Sequence, residues 1–213
     1  MNTIAFRNIL PQVFSSEPVA SDIWQKDVAF ELGHYYLIEA ESGKGKSTFC
    51  SYILGYRQDY TGQLLFDGKD ARHYGIGDWS RLRQRHVSCL FQELRLFPEL
   101  TAWENVEIKN KLTQHKSRQQ IELWFEQLGI ADKLNAQVGQ MSFGQQQRVA
   151  LMRALVQPFN FLLADEPISH LDDRNAQAMA ALLSQEANVQ GASVIITSIG
   201  KRLPLTYDYT YQL

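Results

Sequence analysis

The chain has 213 residues, enough for one sizeable core with a small attached lobe and hardly for two full domains. Its 45% hydrophobic and 21% charged residues are an ordinary globular balance, and a formal net charge of −2 gives nucleic acid no electrostatic footprint as a partner. No apolar run approaches the ~18–20 residues needed to span a bilayer, and MNTIAFRNIL lacks the charged lead of a signal peptide, so a cytoplasmic chain is expected.

From the N-terminus, TIAFRNI, VAFELG and GQLLFDG are short, partly alternating and turn-bounded, which predicts half-exposed antiparallel strands. YYLIEA (Tyr35–Ala40), HVSCLFQ (His86–Gln92), NFLLADE (Asn160–Glu166) and SVIITSI (Ser193–Ile199) are apolar runs of the length that suits buried strands of a largely parallel sheet. Helical patterns lie between them. KSTFCSYIL opens one; Ile121, Trp124, Phe125 and Leu128 follow the i, i+3, i+4, i+7 rule; Met179, Leu182 and Leu183 suggest another apolar face. The stretch from Glu93 to Gln140 is richer in Gln, Lys and Glu and lacks a convincing long strand, so it reads as a helical lobe inserted into an α/β core. The two cysteines, Cys50 and Cys89, form neither a disulfide framework nor a metal-ligand spacing and read as small buried hydrophobes.

Two motifs carry chemistry. IEAESGKGKST (Ile38–Thr48) approaches G-x-x-x-x-G-K-[ST], a loop whose N–H groups cradle phosphate, but Ala40 stands where the first glycine belongs and Lys44 adds a second cation. An apolar strand precedes it and a helix follows, and that helix N-terminus offers unpaired N–H groups and a positive dipole. Lys46 would reach the β and γ phosphates and the Ser47 hydroxyl would sit on Mg²⁺. The nucleotide-binding set is then Ala40, Glu41, Ser42, Gly43, Lys44, Gly45, Lys46, Ser47 and Thr48. Alanine at 40 is expected to alter fit, so Ala40→Gly should raise nucleotide affinity. The second motif, FLLADEP (Phe161–Pro167), ends an apolar strand in two carboxylates. Adjacent acids there are costly unless a cation is near; Asp165 would hold Mg²⁺ and Glu166 would polarise the attacking water.

QMSFGQQQRVALMRAL (Gln140–Leu155) then resembles the ATP-binding cassette family, the nucleotide-binding subunits of ABC transporters. Ser142, Gly144 and Gln145 fit its L-S-G-G-Q signature, with Met141 and Phe143 as departures. Gln92 occupies the Q-loop position, and SHLD (Ser169–Asp172) matches the D-loop, normally S-x-L-D. LADEP and the Q-loop context look most like the lipoprotein-release and macrolide-export branch. The resemblance implies an α/β fold: a P-loop NTPase core with a mainly parallel sheet, an N-terminal antiparallel β subdomain and an inserted helical subdomain. The whole of 1–213 would be one ATP-binding domain, with 1–92 and 141–213 as core and 93–140 as the helical subdomain.

It further implies a head-to-tail dimer, homodimeric or with a related cassette, enclosing two ATP. Each ATP with its Mg²⁺ would meet Lys46, Ser47, Gln92, Asp165 and Glu166 of one subunit and Ser142, Gly144 and Gln145 of the other, with Asp172 nearby. A separate transmembrane permease subunit would dock on the helical subdomain, keeping the cytoplasmic chain peripheral to the inner face of the membrane. An aromatic near the N-terminus normally stacks on adenine; Phe14 sits about where it is expected, and Trp24 is a rival. One element breaks the pattern. The family carries a histidine after its last core strand, and here IITSIGKR puts Ser198 in that place as the catalytic-position residue. Serine is shorter and cannot carry positive charge. A slow ATPase is therefore expected, and a hydrolysis-impaired regulatory cassette is the alternative.

Overall fold

Partial alternation of apolar and polar residues builds the first sheet. In the computed structural model, which describes residues 1–16, 19–41, 43–168 and 172–213, β1 (Thr3–Pro11) pairs antiparallel with β2 (Asp27–Glu31), burying Ile4 and Phe6 while Arg7 and Asn8 face water. The chain then runs through β3 (Tyr35–Glu39), α1 (Lys46–Ile53), β4 (Tyr60–Phe66) and the two-residue β5 (Lys69–Asp70). The antiparallel sheet has the order β2-β1-β4-β5. Its register shifts between Arg7 and Leu10, where Asn8 takes a φ of 50°. Gly62 faces that bulge with a φ of 82°, and a Cβ there would stand 2.3 Å from the Asn8 carbonyl oxygen, so no side chain fits.

The remaining elements are α2 (Ile76–Arg85), β6 (Val87–Leu90), α3 (Ala102–Asn110), α4 (Arg118–Gln127), α5 (Phe143–Leu155), β7 (Phe161–Asp165), α6 (Asp173–Gln190), β8 (Ser193–Ser198) and β9 (Tyr209–Gln212). The second sheet has the order β6-β7-β8-β3-β9, and every pair in it is parallel. Its inner strands are apolar on both faces because both are covered. Alternate residues divide between two cores: Leu37, Leu162, Ala164, Val194 and Ile196 pack against α3, α4, α5 and α6. Tyr36, Ile38, Phe161, Leu163 and Ile195 pack against α1 and the antiparallel sheet.

Between β6 and α5 the described residues carry α3, α4 and two short 3₁₀ turns, with one isolated bridge, Thr101 to Gln137, in place of a strand. Ile121, Trp124, Phe125 and Leu128 are buried as the helical period predicts, but in the same core as Leu37 and Leu162 of the sheet. Thr101 with Glu104, and Ser117 with Gln120, form capping boxes that start α3 and α4. Two elements depart from expectation: α2 buries only Trp79 and Leu82 among charged residues, too thin a stripe to read as a helix, and β9 is a polar, largely exposed edge strand. Among the described residues no helix is long and apolar enough to cross a membrane.

Candidate functional site

The tip of β3, the start of α1 and the tip of β7 meet at the C-terminal edge of the parallel sheet, where a phosphate ligand of such a sheet belongs. They border a cleft of ≈ 270 Å³ lined by Gly43, Gly45, Lys46, Ser47 and Thr48 from the loop, and by Gln92 and Glu166 opposite. Gly45 precedes α1 with a φ of 101°, and a Cβ there would meet the Phe14 ring at 2.9 Å. That glycine serves both the left-handed backbone and the close ring.

Lys46 is 5% exposed. Its ammonium donates to the carbonyl oxygens of Ala40 (3.0 Å) and Glu41 (2.9 Å) and stands 3.5 Å from Glu166 Oε1. The buried cation is thus matched by a carboxylate 120 residues further along the chain, as the costly acid pair required. Gln92 Nε2 donates to Glu166 Oε2 at 3.2 Å, so the amide and the ammonium divide the two carboxylate oxygens. Glu166 has a φ of 49°, left-handed for a residue with a side chain. Its N–H donates to Thr197 O (3.2 Å) and Oγ1 (3.3 Å), which holds the turn that aims it away from the strand.

Asp165 continues β7. Its Oδ2 accepts from Ser47 Oγ at 3.1 Å, and its Oδ1 accepts from Thr197 Oγ1. Ser47, Gln92 and Asp165 also share an adjoining hollow of ≈ 200 Å³. A hydroxyl, a carboxylate and an amide oxygen make an all-oxygen donor set of the kind Mg²⁺ takes when phosphate and water complete its shell. Cys50 also lines this hollow and Cys89 does not; burial first, then the Asp165 carboxylate, raises both thiols well above their usual range, so they stay protonated and inert.

Several expected residues sit elsewhere. Ser198 is 2% exposed, and its hydroxyl donates to Lys201 O (2.7 Å) and accepts from the Gly200 N–H (3.1 Å). It closes its own turn, and Ile199 lines the cleft in its place. Expected at the catalytic position, it is placed by the structure with its two-atom side chain on the local backbone. Ala40, expected to alter fit, shows no backbone strain. Its φ is not left-handed, its methyl is packed in the second core, and its N–H and carbonyl are taken by Ser198 O and Lys46 Nζ. Ala40→Gly should therefore lower thermal stability by about 1 kcal/mol, from a lost methyl and a looser backbone, and leave ATP affinity within twofold; differential scanning fluorimetry and calorimetric titration read the two.

Glu41 contributes its carbonyl to Lys46 and turns its side chain to solvent, as does Lys44, which does not line the cleft. Ser42 lies outside the described residues, as do Ser169, His170 and Leu171 of the D-loop match. Phe14 lines the cleft half-buried, whereas Trp24, its rival, is a fully buried core residue.

Ser142, Gly144 and Gln145 open α5 outside the cleft. Ser142 caps the helix, its Oγ accepting from the Gln145 N–H, while the Gln145 amide oxygen accepts from the Ser142 N–H at 3.0 Å. Asp172 caps α6, accepting from the Asn175 N–H, which holds its carboxyl below the usual range. It borders a separate groove of ≈ 620 Å³ with Arg148 and Asn175. Within one chain, then, loop and acids converge and the signature does not join them. Thr197 and Arg57 were not foreseen; Arg57 lines the cleft and donates to Thr48 Oγ1 at 3.1 Å. A short strand ending in a hydroxyl beside the acid pair was the available signal for Thr197.

A phosphate loop after β3 and an acid pair at the end of β7, on the same edge of a parallel sheet with β8 between them, define a nucleotide-binding protein of the P-loop class. A family model described as ABC transporter matches residues 25–169. The chain is 30% identical over 203 residues to the macrolide export ATP-binding/permease protein MacB 1/2 of Paracoccus denitrificans, covering 94% of itself and 30% of that longer protein. It is 35% identical over 182 residues to an uncharacterized ABC transporter ATP-binding protein of Thermotoga maritima, covering 81% and 76%. Among solved structures it resembles the bacterial ABC transporter cassette MJ0796. The dimer of that cassette superposes with a TM-score of 0.78 at 25% identity, covering 92% of this chain and 87% of that one. Its dimeric post-hydrolysis state, bound to ADP and Pi, gives a TM-score of 0.72 at 26% identity over the same shares. The chain belongs to the ABC transporter family, as an ATP-binding cassette.

Proposed function

We propose that this cassette closes on ATP as a head-to-tail pair, hydrolyses it slowly, and drives a separate membrane-spanning subunit docked on a helical subdomain at 93–140. The observation that carries this reading is the convergence of Lys46 on Glu166 at 3.5 Å beside the Ser47–Asp165 hydrogen bond. The γ-phosphate would take the place of Glu166 on Lys46. Glu166, still held by Gln92, would then accept a proton from the water that attacks phosphorus as the bond to ADP breaks. Ser47, Asp165 and the Gln92 carbonyl would hold Mg²⁺, which would supply neutralising charge to the phosphate oxygens. Because Ser142 and Gly144 lie outside their own chain's cleft at the N-terminus of α5, a second cassette bringing that dipole to the γ-phosphate supports the pairing. Phe14 is the aromatic for adenine.

Slowness follows from Ser198. A missing preorganised donor lowers a rate by about 10²–10³. The same observation favours a second reading, a cassette that binds ATP and dimerises without useful hydrolysis. Light scattering and phosphate release on the purified chain with ATP test both: ATP-driven dimers with slow release support the first, dimers with none the second, and no ATP response overturns both. Ser198→His should change phosphate release by less than about tenfold, since the larger imidazole enters a position that is 2% exposed and removes the hydroxyl that bonds both sides of the 198–201 turn. A gain of about 10²–10³ would mean that the histidine is the only part lacking.

A further inference from the structure

The cleft contains a cation that the phosphate-loop pattern does not call for. Arg57, in the turn between α1 and β4, lines it together with Thr48. Asp59 grips the guanidinium on one edge, Nε donating to Oδ1 at 2.9 Å and Nη2 to Oδ2, while Nη1 donates to Thr48 Oγ1 at 3.1 Å. The Tyr52 ring lies 5.9 Å from the guanidinium carbon, and the Tyr52 hydroxyl donates to Asp59 O at 2.9 Å, so the acceptor that grips the arginine is fixed as well. Three of the five N–H donors are thereby used, and one on each terminal nitrogen remains among the described residues. A planar fork held this way is ready for a phosphate oxygen without further ordering.

Its place along the cleft gives the role. Glu166 and Gln92 mark the end where the terminal phosphate reacts, and Lys46 points there. Thr48 stands two residues past Lys46 on α1, away from that end, and the loop N–H groups on this side cradle the inner phosphates. We propose that Arg57, braced by Asp59 and Thr48, contacts the inner phosphates of the bound nucleotide, holding ATP and ADP alike. This rests on the ATP-binding reading above.

Calorimetric titration of ATP and of ADP into the full chain tests it. Arg57→Ala should weaken both nucleotides by about tenfold, the size of one lost charge-assisted contact, and by the same factor for each. Arg57→Gln, which can still donate to Thr48 but is uncharged, should behave similarly; it serves if the alanine variant folds poorly. Asp59→Asn keeps the cation and should weaken binding by less than about threefold. If the Arg57–Asp59 pair only braces its turn, all three variants lower the melting temperature of the nucleotide-free chain while ATP and ADP bind within twofold of the parent. That result overturns the inference. Failure of the parent chain to bind either nucleotide would instead overturn the ATP-binding reading on which it rests.

Discussion

Glu166→Gln is expected to slow phosphate release by about 10²–10⁴ while ATP binds at least as tightly as to the parent chain. The two halves of this result have separate causes. Amide for carboxylate removes the one group lining the cleft's reacting end, among the described residues, that can accept the water's proton, since Asp165 is committed to Ser47 and Thr197. It also removes the anion that occupies Lys46 at 3.5 Å, and the triphosphate no longer competes with it for the ammonium. The variant should therefore accumulate as an ATP-bound dimer, visible as a long-lived doubled mass in light scattering. Single-turnover phosphate release measures the rate. A variant with parental turnover would remove Glu166 from the chemistry.

Lys116→Ala is expected to cost about 3–5 kcal/mol of stability. Lys116 Nζ lies 2.5 Å from Glu186 Oε2, and both side chains are 6% exposed. The Trp124 ring is 5.5 Å from the ammonium, and Asn110 fixes the Lys116 backbone from both sides, donating to its carbonyl and accepting from its N–H. Taking away the cation leaves the Glu186 carboxylate buried on α6 without a partner, which is the expensive half of a broken buried pair. For a chain of this length each kcal/mol moves the melting temperature by about 2–4 °C, so a fall of roughly 6–20 °C is expected by calorimetry. The uncharged double replacement, Lys116→Met with Glu186→Leu, should recover most of it, because no charge then needs solvation. A single variant that melts within 2 °C of the parent would show that water reaches Glu186 in solution.

This ion pair also ties the connection before α4 to α6, whose N-cap is Asp172. The pair and the one described residue of the D-loop match thus share a helix, and coupling between the pair and nucleotide binding is testable. Nucleotide-driven stabilisation of Lys116→Ala, compared with that of the parent, would measure how far the two are linked.

Much of the architecture is written locally. Runs such as FLLAD and SVIITS are apolar on both faces, so they had to be strands with cover on each side, and the covered parallel sheet is what forms. The loop was legible for a similar reason: Gly45, Lys46 and Ser47 act within one turn of a helix, and two adjacent acids after four apolar residues needed a cation of the kind that Lys46 supplies. What the linear chain left open depends on partners distant along it. The charged α2 and the polar β9 have weak patterns of their own and are held by what they pack against, β6 and β3. Ser198 looked like a cleft residue until the 198–201 turn took both sides of its hydroxyl. At Ala40 the sequence shows only a missing glycine, and the fold adds an ordinary backbone and a carbonyl that accepts from Lys46. Arg57, Thr197 and Lys116 gain meaning from Thr48, Asp165 and Glu186, contacts set by the closing of two sheets and the helices around them. Periodicity and motif spacing record what a residue does with near neighbours; hydrogen bonds and charge pairs across the fold are set by geometry that no short window contains.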